Sequence, residues 1–100
     1  MKSHKIYCGL NSPNLTEDQA LDCVTTLALT HFPHGHTLYE AKGKWRGLVG
    51  DYTERTIIVE VWEVNGCGTP PVAELAADYK ELAKQESVVV ISQPVEGLVI

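Results

Sequence analysis

Residues 37–63, TLYEAKGKWRGLVGDYTERTIIVEVWE, determine more of the expected fold than any other stretch of the chain. Segments 37–46 and 53–63 alternate between polar and apolar side chains, as strands with one buried face do. Between them the run GLVGD supplies a tight turn, so the two segments are predicted to form an antiparallel hairpin. The residues expected on the buried face of the second strand are Ile57, Val59 and Val61.

A strand and a helix are predicted before this hairpin. Residues 4–11 (HKIYCGLN) alternate like a strand. Thr16 and Gln19 have the spacing of a capping box, which predicts that a helix begins there. Pro33 and Gly35 then end this helix. Its apolar stripe is formed by Ala20, Leu21, Val24, Leu27 and Ala28.

A second helix and a last strand are predicted after the hairpin. Thr69 is the expected N-cap, and Pro70 is the expected first helical residue, because proline needs no hydrogen-bonded amide there. The final strand is predicted to begin at Ser87. The apolar stripe of the second helix is formed by Val72, Leu75, Ala76, Tyr79, Leu82 and Ala83.

The predicted order of elements is strand, helix, strand, strand, helix, strand. With right-handed crossovers this order folds into a four-stranded antiparallel sheet with both helices on one face, the ferredoxin-like α+β fold. One domain is expected over residues 1–100, with a short apolar tail at 94–100. The uncovered sheet face would carry Ile58 and Trp62. This is more apolar surface than a monomer usually exposes, so a homo-oligomer is expected.

The composition indicates a globular, cytoplasmic protein. Of the 100 residues, 44% are hydrophobic and 21% are charged. The formal net charge of −5 argues against general nucleic-acid binding. No apolar run approaches the roughly 20 residues that span a bilayer, and no secretory signal is expected at the start. The 3 cysteines form no Cys-x-x-Cys pair, which favours reduced thiols.

The run HFPHGH at residues 31–36 raises the question of a metal site. Zinc needs three or four ligands that converge on one point. His34 and His36 flank a glycine, and the spacing along the chain identifies no further ligand. A helix-ending turn with exposed histidines is therefore predicted, and neither a metal nor another cofactor is expected.

The run AKGKWRG contains three of the eight basic residues of the chain. The cations that share one face of this strand are Lys42, Lys44 and Arg46. Three cations on one face repel each other unless acids or an anionic ligand neutralise them. One explanation is pairing with acids of the neighbouring strand, such as Glu54 and Glu60. The other is an anion-binding surface in which Arg46 holds a phosphate or carboxylate, with Trp45 as a core residue or a stacking platform.

The junction between the second helix and the last strand holds the polar run Gln85-Glu86-Ser87. As structural residues they would satisfy the amides and carbonyls left unpaired at a helix end. As functional residues, Glu86 is a candidate general base or a partner for Arg46. The spacing identifies no nucleophilic triad and no glycine-rich phosphate loop.

Five segments, in this order, carry a resemblance to a known family: IYCGL, HFPHGHT, GKWRG, ERT and YKELAKQESV. Over about residues 5–90 the chain resembles the domain of unknown function 3574 (DUF3574) family, small proteins of bacteria and phages. The resemblance implies a turn at HFPHGH, and it brings no established activity. The polar positions that it implies as one site are Trp45, Arg46, Glu54, Gln85, Glu86 and Ser87.

The sequence favours a small non-catalytic protein that captures an anionic, nucleotide-like molecule. The predicted ligand-binding residues are Lys42, Lys44, Trp45, Arg46, Glu54, Gln85, Glu86 and Ser87. The occurrence of the family in phages adds a sharper form, a phage protein that sequesters a host immune signal. Two alternatives stay open. One is a protein–protein interaction or inhibitor module that uses the open sheet face or the tail, and the other is a small acid–base enzyme of the dimeric ferredoxin-like type, with Glu54 or Glu86 as base.

Overall fold

The fold is an antiparallel sheet covered on one face by two helices. The computed structural model describes all residues, 1–100. The elements in chain order are β1 (Lys2–Gly9), α1 (Glu17–His31), β2 (Thr37–Gly47), β3 (Gly50–Glu63), α2 (Val72–Leu82) and β4 (Val89–Pro94). The strand order in the sheet is β2-β3-β1-β4, and every neighbouring pair is antiparallel. This arrangement confirms the predicted ferredoxin-like α+β fold.

The core lies between the helices and one face of the sheet. Successive residues of a strand point to opposite faces, so alternate positions of the two central strands face the helices. Ile6 on β1, for example, pairs with Val59 on β3, and both are fully buried. The helices complete the core with Ala20, Val24, Ala28, Leu75, Ala76 and Tyr79. The predicted buried face of β3 is therefore confirmed.

The capping box predicted for α1 is present in full. The backbone N–H of Gln19 donates to Thr16 Oγ1 at 3.1 Å, and the backbone N–H of Thr16 donates to Gln19 Oε1 at 3.0 Å. At the other end Phe32 is the C-cap, and its N–H donates to the carbonyl of Ala28. The helix ends just before Pro33, as predicted. Neither this helix nor α2 is long and apolar enough to cross a membrane.

The start of α2 differs from the prediction. Thr69 does not cap the helix, which begins at Val72 after Pro71 as N-cap. A residue before proline is driven away from helical backbone angles, so Pro70, which precedes Pro71, is a poor first helical residue. The predicted apolar stripe is wrong at Leu82, which is 51% exposed, whereas its last member, Ala83, is buried in the core as predicted.

Strand boundaries shift by a few residues from their predicted positions. β1 covers Lys2–Gly9, which is earlier than predicted, and β4 begins at Val89 and not at Ser87. The hairpin strands extend toward each other until Gly47 pairs with Gly50. This pairing leaves a two-residue connection, the length that best matches the twist of a hairpin.

A row of polar side chains ties three strands together on the helix-facing side. His4 on β1 is only 5% exposed. Its Nδ1 lies 2.6 Å from Ser92 Oγ on β4, and its Nε2 lies 3.0 Å from Glu63 Oε1 on β3. The buried imidazole thus has a partner on each side, as a buried polar group requires.

The sheet face away from the helices carries large, exposed apolar side chains. Trp62 is 60% exposed there. The tail after Pro94 adds Leu98 and Ile100, which are largely exposed and border the same recess as Trp62. Association of this surface with a second copy of the chain, or with another protein, stays a prediction.

The three cysteines differ in accessibility, which gives a test of the packing. Cys8 is buried and Cys67 is exposed. Burial raises the pKa of the Cys8 thiol to about 12, and the nearby Cys23 adds to this shift. Because the thiolate is the reactive form, we expect iodoacetamide at mildly alkaline pH to alkylate Cys67 first and Cys8 only in urea. Peptide mapping by mass spectrometry checks this, and equal alkylation of Cys8 with and without urea would contradict it.

Candidate functional site

A cleft opens at one end of the uncovered sheet face, between the β2–β3 hairpin and the segment that joins α2 to β4. Its volume is about 350 Å³. Six of the eight predicted site residues line it: Trp45, Arg46, Glu54, Gln85, Glu86 and Ser87. The fold therefore brings together two polar runs that are distant in the sequence. The binding role of these residues stays a prediction.

Lys42 and Lys44 are not brought to the cleft. Trp45 stands on the cleft side of β2, and side chains at alternate positions of a strand point the other way. Both lysines are therefore exposed on the opposite face, where Lys42 pairs in register with Arg55. Arg46 alternates with Trp45 in the same way and shares the strand face of the lysines, but it lies beside the hairpin turn and still borders the cleft. The three strand cations therefore do not form one basic surface at the cleft.

Arg46 lines the cleft near the end of β2 and forms an ion pair across the hairpin. Its Nε lies 2.9 Å from Asp51 Oδ1. Glu54 and Glu60, the acids that the sequence suggested, are not its partners, and Glu60 lies 3.8 Å from Lys5. The side chains of Arg46 and Asp51 are 84% and 69% exposed, so the pair contributes little to stability. The guanidinium is exposed beside the hairpin turn, and it has to turn from Asp51 toward the cleft to meet an anionic group of a ligand there.

Glu54 is a half-buried acid held against the end of β1. Its carboxylate lies against Gly9, which has no side chain, and its Oε2 accepts a hydrogen bond from the backbone N–H of Asn11 at 3.1 Å. Burial raises the pKa of the Glu54 carboxyl above its ordinary value, and the Asn11 N–H opposes this shift. A carboxyl in this environment is suited to accept a ligand hydrogen bond or to exchange a proton.

Replacing Gly9 with alanine is expected to displace the Glu54 carboxylate. The new Cβ would stand 2.6 Å from Cδ of Glu54, so the side chain must move. The variant should still fold, because the group in the way is the end of a flexible side chain. Its free energy of unfolding should fall by about 1 kcal/mol, because the hydrogen bond from the Asn11 N–H to Glu54 breaks. Since the carboxylate moves into water, its pKa should fall toward the ordinary value. An NMR pH titration of Glu54 that matches the parent protein would contradict the described contact.

Two tyrosines that sequence analysis missed also line the cleft, Tyr7 and Tyr52. Tyr52 pairs with Trp45 across the hairpin, so both rings stand on the open face. Burial, and then the carboxylates of Glu54 and Glu86, raise the pKa of the Tyr52 hydroxyl. Both carboxylates thus influence the ionisation of the Tyr52 hydroxyl. The alternation of side chains along β3 could have predicted the position of Tyr52. Tyr52 lies two residues before Glu54 and therefore on the same face of the strand.

Lys84 is a further lining residue, and its backbone is unusual for lysine. Its φ is 52°. The N–H of Gln85 donates to the carbonyl of Lys80 at 2.9 Å, and the N–H of Lys84 donates to that of Glu81 at 3.4 Å, which is the Schellman pattern at a helix end. Glycine is usual at this left-handed position, and another residue there costs about 1–2 kcal/mol. The lysine places a cation beside the cleft at the expense of stability.

Hydrogen bonds from the end of α2 hold the loop after β1 in place beside the cleft. The Tyr79 hydroxyl donates to the carbonyl of Gly9. The Gln85 side-chain amide donates to the carbonyl of Asn11 at 2.8 Å. Gln85 therefore has a structural role, and the amide that holds Glu54 belongs to a fixed segment.

The charges around the cleft are mixed. Arg46 and Lys84 supply two cations, and Glu54 and Glu86 supply two acids. A ligand with negative groups alone would face both carboxylates. A ligand that carries both charges, or that offers hydroxyl and amino donors as well as an anionic group, matches this lining better.

The histidines of HFPHGH lie apart from this cleft. The Nε2 of His31 is 2.9 Å from Asp78 Oδ2, and the Nδ1 of His36 is 2.9 Å from the carbonyl oxygen of Phe32. His34 is exposed. No group of three or more His, Cys, Asp and Glu side chains in the structure is arranged to hold a metal ion.

Comparison with known proteins supports the fold and identifies the family. The chain is similar to a solved structure of a phage SAM lyase in its apo state, with a TM-score of 0.62 and 23% sequence identity over 92% of this chain and 78% of that one. At this identity the likeness concerns the fold. None of the curated proteins matches the chain. A family model matches residues 3–97, and the chain therefore belongs to the family described as "Protein of unknown function (DUF3574)".

Proposed function

We propose that the protein captures a nucleoside-type small molecule in the cleft. The observation that carries this proposal is the meeting of three aromatic side chains with charged groups in a cleft of about 350 Å³. The aromatic residues are Tyr7, Trp45 and Tyr52. Nucleobases stack favourably on aromatic rings, and the volume is within the range of small-molecule sites.

The charges of the lining support a ligand that carries both signs. The Arg46 guanidinium is suited to a carboxylate or phosphate. Glu54 and Glu86 accept hydrogen bonds, and they favour ribose hydroxyls or a cationic group. The sequence predicts an anionic ligand. The two acids of the cleft favour an anionic ligand that also carries hydrogen-bond donors or a cationic group.

The similar phage protein supports one specific candidate ligand. SAM, S-adenosylmethionine, combines an adenine, ribose hydroxyls, a sulfonium cation, an amino group and a carboxylate. An adenine suits the aromatic rings, a carboxylate suits Arg46, and the cationic groups suit Glu54 and Glu86. The phage origin of that protein also supports the form of the proposal in which capture lowers the concentration of a host nucleotide or nucleoside signal.

An acid–base enzyme is the second candidate function, and the environment of Glu54 favours it. Its carboxyl has a raised pKa and lies in the cleft with Arg46. A carboxylate whose pKa is raised is a better base, and it is suited to take a proton from a bound substrate. The mass and the chromatographic retention of the ligand after incubation together separate the two functions, because capture leaves both unchanged, whereas an isomerised or cleaved product differs in at least one of them.

The proposal is tested by thermal unfolding of the full chain with adenosine, AMP, cyclic dinucleotides, SAM and S-adenosylhomocysteine. A ligand that binds the folded state raises the Tm in proportion to the logarithm of its concentration. We expect SAM to give the largest shift, because it adds a sulfonium cation to the amino and carboxylate groups that S-adenosylhomocysteine also carries. No shift with any member, together with no heat of binding by calorimetry, would overturn the proposal.

A further inference from the structure

The hydroxyl of Thr56 is buried next to the cleft and has no hydrogen-bond partner. It is 2% exposed, and its Oγ1 makes no hydrogen bond. Thr56 pairs across the sheet with Gly9, which lines the cleft. It also shares a strand face with Glu54. An unsatisfied buried hydroxyl destabilises the folded state, so its presence at this position needs a reason.

The indole of Trp45 lies beside this hydroxyl. A Cβ at Gly43 would stand 2.7 Å from Trp45 Nε1 and 2.8 Å from Thr56 Oγ1. The indole is therefore folded back over Gly43, and the missing side chain leaves room for it. Trp45 is 37% exposed and is not part of the core cluster, so an outward swing of the indole would not open the core.

We propose that Thr56 is a ligand-binding residue of this cleft, reached when the Trp45 indole swings off Gly43. In the outward position the indole stacks on the base of the ligand. The Thr56 hydroxyl then bonds to a polar atom on the edge of that base, such as a ring nitrogen or an exocyclic amino group. This inference rests on the proposed function. It adds a side chain that recognises the edge of the base by a hydrogen bond.

The substitution Thr56→Val separates the two roles of the hydroxyl. It keeps the shape of the side chain and removes the unpartnered group, so the Tm of the free protein should rise by about 4 °C or more. The same change removes the ligand hydrogen bond, so the Kd for SAM by calorimetry should increase roughly fivefold to tenfold. The matched variant Thr56→Ser keeps the hydroxyl and should bind SAM nearly as tightly as the parent protein.

A variant that is more stable and yet binds less well would support the inference, because a purely structural hydroxyl would not affect binding. Parent protein that binds SAM and a Thr56→Val variant that binds it equally well would overturn the inference and leave the proposed function standing. Parent protein that binds no member of the nucleoside panel would overturn both.

The swing of the indole is tested without any ligand. The chain has 2 tryptophans, so a Trp62→Phe background leaves Trp45 as the sole reporter. Adding Gly43→Ala fills the space under the indole and should push it outward, and acrylamide should then quench its fluorescence more strongly. Equal quenching with and without the added methyl group would show that the indole does not lie over Gly43 and would overturn the inference.

Discussion

Replacing Trp45 with alanine is expected to weaken the proposed binding of SAM by roughly 5-fold to 150-fold, because one base–aromatic stack contributes about 1–3 kcal/mol. Trp45 is 37% exposed and lines the cleft beside Tyr52. Its removal deletes the largest stacking surface there and should leave the core intact. Titration calorimetry measures the change in Kd, and circular dichroism checks that the variant is folded.

Trp62→Ala is the matched control for this experiment. Trp62 is also a tryptophan on the open sheet face, but it is 60% exposed and borders a different recess, with the tail. The Kd of this variant should stay close to that of the parent protein. Equal losses in the two variants, or no loss with Trp45→Ala, would show that the base does not stack in the cleft.

Removing Tyr79 is expected to produce the largest loss of stability. This residue of α2 is fully buried, and its hydroxyl donates to the carbonyl of Gly9 beside the cleft. Tyr79→Ala should lower the free energy of unfolding by about 3–5 kcal/mol, since it leaves a cavity the size of a ring. Tyr79→Phe should lower it by about 1–3 kcal/mol, because the Gly9 carbonyl loses its partner. Urea denaturation followed by circular dichroism measures both values.

Tyr39→Phe serves as the control, because Tyr39 is 38% exposed and its change should stay within about 0.5 kcal/mol. A Tyr79→Phe variant as stable as the control would contradict the role of the hydroxyl. Burial raises the pKa of Tyr79 well above its ordinary value, with smaller effects from Cys8, Cys23 and Glu54. The hydroxyl therefore stays protonated and able to donate throughout the neutral range.

The order of the elements and the core residues were predictable because local sequence patterns indicate them directly. The alternation of Ile57 and Val59 with polar neighbours defines a strand with one buried face. The Thr16 and Gln19 pair defines a helix start, since each side chain caps a backbone amide of the other residue. Where local signals compete, as at Pro70 and Pro71, the prediction was wrong by two residues.

The cleft was predictable only in part. The resemblance to DUF3574 implied six polar positions that the fold does bring to one cleft. The direction of each strand side chain depends on register, however, and this places Lys42 and Lys44 on the far face. Lys84 lines the cleft because a helix ends in a left-handed residue, and no local pattern predicts a lysine there. Thr56 became a candidate only through its missing hydrogen-bond partner.

Native mass spectrometry of the full chain, purified gently and recorded before and after denaturation, tests capture most directly. Capture in the cleft predicts a native mass that exceeds the mass of the protein by one nucleoside-sized molecule per chain, either as purified or after incubation with SAM. Denaturation should release that molecule with its mass unchanged, and Trp45→Ala should lower its occupancy. A protein that stays free of ligand after incubation with every member of the nucleoside panel would contradict the account.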